Sequence, residues 1–329
     1  MSPKKISINI VTYNALKYLP HCLDSIKKQS FSNYEVLILD NNSSDGSIKY
    51  IKDNYPEFKI IENKKNLGFA KAHNLGIKKS SGDYVLCLNQ DIILDNDFLT
   101  NVDQFLDSHL RVASLSGKLY YWDFQNNKKT QQIDSLGIKV HKNFKFSDLN
   151  QGEFDSDDFC QEIEIFGPSG AAPVYRRSAL EEIALDGEYF DEDFFMYKED
   201  IDLAFRLHLA GWFSYFLPQA QAYHDRTLKS DQHLIKNRRQ RSQISNYYSY
   251  RNHLFVLLKN LDVKIFLKYF FYISFFEFVK LGYILIFEPK NVIAALDFLG
   301  KSAKVFSKRK LIQNSKKVGS SFTEHWIAK

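Results

Sequence analysis

The chain has 329 residues, 44% of them hydrophobic and 25% charged, and a formal net charge of +5. That is enough for one large domain with a folded core plus an appendage. Its three cysteines, Cys22, Cys87 and Cys160, are odd in number and unclustered, which argues against a disulfide framework or a zinc site and suits a reducing cytoplasm.

Lys4-Lys5 leads directly into the first apolar run, Ile6 to Val11, so no leader segment is expected. Two further runs, Val36 to Leu39 and Tyr84 to Leu88, read as strands. Amphipathic stretches at Leu19 to Lys28, Gly46 to Tyr55 and Gly68 to Ser80 read as helices between them. This alternation predicts an α/β fold with a mainly parallel central sheet covered by helices on both faces. Polar clusters follow the strands: Thr12-Tyr13-Asn14, Asp40 through Gly46, and Asn89-Gln90-Asp91. In open parallel sheets ligands bind outside the carboxyl ends of the strands, so these clusters are expected to face one crevice.

The local chemistry excludes a dinucleotide fingerprint, because Thr12-Tyr13-Asn14-Ala15-Leu16 stands where Gly-x-Gly-x-x-Gly is needed; a P-loop is absent too. Carboxylate and amide side chains can instead grip a nucleotide, with a divalent cation on its phosphates held by oxygen ligands such as Asp91. Further on, Asp123 to Phe159 is polar, and Asp155 to Asp158 reads as an exposed loop. Gly167 to Ala172 contains small residues that permit close approach of a ligand, or a tight turn into a strand at Val174-Tyr175. The stretch Phe194 to Leu203 then carries Glu199, Asp200 and Asp202 where an apolar run becomes a helix ended by Gly211. Acids there either cap the helix or remove a proton.

Six segments together resemble the family 2 glycosyltransferases with a GT-A fold, and within them the bacterial rhamnosyltransferase-like group. They are Val11-Thr12-Tyr13-Asn14, Leu39 to Gly46, Asn66-Leu67-Gly68-Phe69-Ala70 with Asn74, Asn89-Gln90-Asp91, Gly167 to Ala172, and Phe194 to Gly211 with Trp212. The resemblance covers about residues 5 to 225 and implies a Rossmann-like nucleotide-binding half. The expected division is a GT-A catalytic domain, residues 1–225, and a basic, aromatic-rich helical C-terminal region, residues 226–329.

Carried over to this sequence, the resemblance implies that Thr12, Tyr13, Asn14 and Asp40 bind the nucleoside, Asp40 accepting from a base imide N–H. Asn66 and Gly68 would line the nucleotide or sugar, with Asn89 and Gln90 beside them. Gly68 also suits close backbone approach at a helix start. The family's metal motif is Asp-x-Asp or a relaxed form of it; here only Asp91 keeps the carboxylate, while Asn89 offers a carbonyl or a ribose contact. His224 would complete a site for Mn²⁺ or Mg²⁺. Arg226 and Lys229 would steady the departing diphosphate or lie at the surface as free charges.

The implied chemistry is an inverting displacement at the anomeric carbon of a nucleotide sugar. Asp200 is the expected general base, Glu199 its support, Asp202 its rival, and the metal the electrophile. The subgroup implies dTDP-rhamnose as donor and a lipid-linked or surface-polysaccharide acceptor. A UDP-hexose transferase (galactosyl or glucosyl) of the same family is the alternative. Asn89 in place of an acid leaves open a catalytically silent sugar-nucleotide-binding scaffold. A processive synthase is not expected, since Gln-x-x-Arg-Trp is missing.

Residues 226–329 hold 20 Lys and Arg against 6 Asp and Glu, a net +14 that leaves −9 for residues 1–225. Within Val263 to Phe287 the longest uncharged stretch, Tyr269 to Phe276, falls short of the roughly 20 apolar residues that span a bilayer. An aromatic helix with basic flanks instead suits peripheral contact with an anionic inner leaflet, at the cytoplasmic face of the membrane. Packing on the catalytic domain or in a homo-oligomer is the competing expectation. Nucleic acid at Lys236 to Arg241 or Lys308 to Lys317 is disfavoured by the acidic crevice.

Overall fold

The computed structural model describes residues 5–123, 126–225 and 242–327. Arg226, Lys229 and the Lys236 to Arg241 cluster therefore lie outside the described residues. The expected strands and helices of the first ninety residues form as β1 (Ile6–Thr12), α1 (Leu19–Lys27), β2 (Tyr34–Asp40), α2 (Ser47–Asn54), β3 (Lys59–Glu62), α3 (Gly68–Lys79) and β4 (Tyr84–Asn89). β1 pairs in parallel with both β2 and β4, and β2 with β3, so Thr12 lies beside Asp40 and Val11 beside Asn89 at one edge. Ile6, Ile8 and Ile10 are wholly buried on one face of β1; on its other face stand Ser7 and Asn9, equally buried.

The second half of the sheet is mixed. β5 (Ile92–Leu94) and α4 (Phe98–Ser108) lead to the long β6 (Val112–Asp123), and β11 (Val174–Arg176) wedges between β4 and β6, antiparallel to both. β12 (Phe213–His224) runs parallel to β6, and β5 pairs antiparallel with its end at Ile92↔His224. The fold is thus a GT-A type α/β fold, with order β3-β2-β1-β4-β11-β6-β12-β10, where β10 is Ile163–Ile165.

The polar stretch after residue 123 is more structured than its composition suggests. β7 (Lys128–Ser135) pairs with β6, and β8 (Ile138–Val140) with β9 (Phe146–Asp148) as a separate hairpin. Asp155, expected in an exposed loop, accepts from Lys118 Nζ at 2.8 Å and Tyr120 O–H at 2.6 Å, which fixes this excursion to β6.

After α5 (Arg177–Glu182), helix α6 (Glu199–Leu209) buries Leu203, Ala204 and Leu207 at helical spacing, and Gly211 follows it at φ +84°. The segment leading into α6 is held by the C-terminal helices. Asn252, on the helix Gln243–Asn260, sets its Nδ2 2.8 Å from each of the Phe194, Met196 and Tyr197 carbonyls; its two N–H groups can serve two at once. Arg251 donates to the Asp193 carbonyl at 2.5 Å. Lys259 is buried between Asp191 and Asp202, and Lys308, on the helix Val292–Ser315, reaches Asp191 at 2.5 Å and Asp193 at 2.8 Å.

Burial of Asp191 disfavours its charge, yet the two lysines outweigh that and hold its carboxyl far below the ordinary range. Such a depressed pKa contributes stability that is present above the unfolded aspartate value and is lost as pH falls towards the folded one. Lys259→Met would leave two buried carboxylates short of a cation, an expected loss of about 3–5 kcal/mol. Urea unfolding near neutral pH is the check, and the deficit should narrow in acid.

Candidate active site

At the carboxyl edge of β1 and β2 two buried oxygens have no hydrogen-bond partner, Asp40 Oδ1 and Thr12 Oγ1. Asp40 Oδ2 accepts from the Ser43 amide at 3.0 Å, which fixes the carboxylate. A buried acceptor without a donor is costly, so the pair is prepared for a ligand that donates. The loop around it is tied down: the Tyr13 amide donates to Gln90 Oε1 at 2.8 Å, and Asn14, at φ +48°, accepts from the Ser44 amide. The Tyr13 ring is left exposed at the rim.

Asn66 and Gly68 behave differently from expectation. Asn66 is exposed and accepts from the Gly68 amide at 2.8 Å. Gly68 is approached not by open crevice but by Phe195, whose carbonyl accepts the Phe69 amide at 2.6 Å and would lie 2.4 Å from a Cβ at Gly68. The glycine allows close approach, as its sequence context suggested, but protein backbone fills the space.

At the end of β4, Asp91 Oδ2 lies 3.5 Å from His224 Nε2, although the two residues are far apart in sequence. The other imidazole nitrogen contacts Asp134 Oδ2 at 2.7 Å. Asp134, on β7, is fully buried and was missed in the sequence: one acid in a polar strand, distinguished only by the fold that sets it behind His224. Burial opposes a charged imidazole, but the bonds to Asp134 and Asp91 outweigh it and push His224 up to about 10. A carboxylate behind the far nitrogen is the arrangement that orients a metal-binding histidine. Among the described residues no third His, Cys, Asp or Glu joins Asp91 and His224. A metal held there would take its remaining ligands from a diphosphate and water, which suits a hard cation.

The three acids of α6 separate sharply. Asp200 is partly exposed; its Oδ2 accepts from the Gly170 amide at 3.1 Å and Oδ1 from the Ile201 amide at 2.8 Å. Desolvation raises its pKa against the lowering effects of Lys198 and these amides, while Asp148 adds repulsion. Glu199 is buried with Oε2 unpartnered, and desolvation followed by the Asp200 charge pushes it up to about 8. Asp202, expected as the rival base, is instead wholly buried: Arg206, Lys259 and Asn260 bind both its oxygens. It faces the interior and has no route to a substrate hydroxyl.

Gly167 to Ala172 links these parts. The Ala171 carbonyl accepts from the Asn89 amide at 2.9 Å while Gly170 donates to Asp200, so the segment joins the end of β4 to the start of α6. Of the two readings of these small residues, the turn into β11 is present, and a Cβ at Gly170 would meet Asp200 Oδ2 at 3.2 Å.

The sheet order is that of a GT-A class fold, and the orphaned acceptors at the strand ends and the acid pair at the start of α6 lie at its carboxyl edge. Residues 7–184 match the model of Glycosyl transferase family 2, and the chain belongs to that family. It is 25% identical over 217 residues to the poly-β-1,6-N-acetyl-D-glucosamine synthase of Staphylococcus epidermidis, covering 65% of this chain and 48% of that protein. It is also 32% identical over 154 residues to an uncharacterized glycosyltransferase of Haemophilus influenzae, covering 44% of this chain and 61% of that one. The chain thus spans about half to three-fifths of the length of these relatives.

Among solved structures, S. aureus TarS aligns with 94% of this chain and 52% of its own, with TM-score 0.57 at 20% identity. A mannosyltransferase of Pyrobaculum calidifontis, solved with GDP-Man and Mn²⁺, aligns over 92% of this chain and 76% of its own, with TM-score 0.54 at 16% identity. These likenesses establish the fold.

Gly68→Ala puts a side chain at φ +75° against the Phe195 carbonyl. The expected loss is on the order of 1–3 kcal/mol, with a fall in turnover because the entry to α6 must shift. Unfolding curves and turnover measured on one preparation check both.

Proposed function

We propose that this enzyme transfers a sugar with inversion from a nucleotide-diphosphate donor to a hydroxyl of a lipid-linked or surface-polysaccharide acceptor. One observation carries the reading. Two unpartnered buried acceptors, Asp40 Oδ1 and Thr12 Oγ1, stand at the strand ends, and a hydrogen-bonded path through Asn89, Ala171 and Gly170 leads from that edge to Asp200, a carboxylate with raised proton affinity. Asp40 accepts the base imide N–H, with Thr12, Tyr13 and Asn14 around the nucleoside and Gln90 holding that loop. Asp200 takes the proton of the attacking hydroxyl, and a base with raised pKa is better matched to that work near neutral pH. Glu199, largely neutral beside it, leaves the charge of the pair on Asp200. A direct displacement assisted by this one base inverts the anomeric configuration and requires no second carboxylate as nucleophile.

Asp91 and His224 would hold Mn²⁺ or Mg²⁺, which when bound supplies positive charge to the departing diphosphate. Solved neighbours bound to Mn²⁺ with UDP or GDP-Man are consistent with this. The donor proposed from the sequence motifs is dTDP-rhamnose, with a UDP-hexose as the second reading; TarS with UDP bound favours the latter base. Residues 1–225 are proposed as the catalytic domain and 226–329 as a helical region at the cytoplasmic membrane face.

Asp200→Asn should lower transfer by about 10²–10⁴-fold while nucleotide binding survives. The wild-type rate should fall as pH drops through a value above the ordinary aspartate range, since the protonated carboxyl is inactive. Near-normal transfer in the variant would remove Asp200 as base. Asp134→Asn should weaken Mn²⁺ binding about 10–100-fold, read by metal titration calorimetry without donor. Nucleotide sugars screened for binding with and without Mn²⁺ identify the donor, and binding of a nucleotide sugar with no transfer to any acceptor would favour the silent scaffold reading.

A further inference from the structure

Contrary to the expectation from its short uncharged stretches, the helix Phe270–Phe287 is long and apolar enough, by length and composition, to cross a bilayer, the one such helix among the described residues, and it is mostly uncovered. Phe271, Phe275, Phe278 and Ile286 are 83%, 72%, 76% and 72% exposed. They recur at helical spacing along one outward stripe. Leu296 and Leu299 on the helix Val292–Ser315 are also bare, at 61% and 62%. The two charges inside the first helix are turned away from this stripe: Glu277 binds His253 at 2.8 Å, and the Lys280 ammonium sits 4.7 Å from the centre of the Tyr250 ring.

Beside the stripe lies an open cavity of about 520 Å³, lined by His141, Lys142, Asn143, Lys145, Tyr272 and Phe276. Its first four residues are in the turn of the β8–β9 hairpin. Among the described residues neither Lys142 nor Lys145 has a carboxylate in salt-bridge reach, in a chain where most lysines near the C-terminal helices do. Desolvation lowers the Lys145 pKa, and His141 is lowered first by burial and then by Lys145 and Lys139, as expected of cations gathered without an anion.

We propose that this face docks on an anionic lipid bilayer, the aromatic stripe entering the interfacial region and the Lys142–Lys145 cavity taking a lipid phosphate. Charge selects this occupant. The acids near the face are already engaged, Glu277 with His253 and Glu288 with Asn246 and Asn291, so a second copy packed on the same face would bring lysines and no free carboxylate. An anionic leaflet satisfies both the apolar stripe and the unpaired ammonium groups. The inference deepens the membrane-face reading above by naming the surface and the headgroup site. It also bears on the acceptor, because the same hairpin carries Asp148, whose charge acts on Asp200.

The test is flotation of the full chain with phosphatidylcholine vesicles, alone or with phosphatidylglycerol, in the absence of any sugar nucleotide, so that failure here is distinct from failure of the donor or base assignment. Anionic vesicles should bind at least about tenfold better, and the double variant K142E/K145E should lose that preference. Its thermal melting and nucleotide binding, measured alongside, should match the parent. Phe271→Ser with Phe275→Ser and Phe278→Ser should lower binding to both vesicle types. Equal binding to neutral and anionic vesicles, or an anionic preference that survives K142E/K145E, would overturn the proposal. So would competition by inorganic phosphate at matched ionic strength, which would make the cavity a soluble-phosphate site. Resistance to carbonate extraction would assign the helix as a span. Absence of vesicle binding, with a dimer that the serine variants dissociate, would assign the face to a second copy.

Discussion

The placing of the acids at the start of α6 depends on how residues 191–198 are held. Phe195, Tyr197 and Lys198 all have φ between +62° and +71°, where non-glycine residues are disfavoured. Each such residue costs on the order of 1 kcal/mol or more, so the conformation persists only if its surroundings over-determine it. They do so from two sides. The amides at the start of α3 take the Phe195 carbonyl, and Asn252 and Arg251 take the carbonyls around it. Buried Lys259 and Lys308 fix the flanking carboxylates. The result is a rigid approach to α6 that presents Asp200 and turns Asp202 inward.

This arrangement explains why acids two residues apart are so different. Asp202 meets Arg206, Lys259 and Asn260 in the interior, and its charge is consumed in joining the C-terminal helices to α6. Asp200 meets only two backbone amides and keeps an open side, with burial and neighbouring acids raising its affinity for a proton. The same logic separates Asp134 from Asp91: one is enclosed behind His224, the other stands before it.

The C-terminal helices consequently have two faces with different chemistry. Inward, Arg251, Asn252, Lys259 and Lys308 are buried against the preceding part of the chain, which matches the opposite net charges of residues 1–225 and 226–329. Outward, aromatic and aliphatic side chains are bare. The sequence suggested membrane contact and packing on the catalytic domain as competing fates, but different residues of one region can serve both, because a helix presents several faces at once.

The sequence alone determined the alternating strands and helices of the first ninety residues, the polar strand ends, the start of α6 and its termination by glycine. Each rests on local periodicity or on residues adjacent in the chain. The set Asp40, Asp91, Asp200 and His224 was singled out by resemblance to the family's motif positions, and its roles are those proposed above. What only the tertiary structure decided depends on contacts distant in sequence: Asp134 behind His224, the Phe195 carbonyl filling the space at Gly68, and Asp202 enclosed by Lys259 and Asn260. An isolated acid in a polar strand carries no mark of its partner, and the physical identity of a carboxylate is fixed by the water and charges around it.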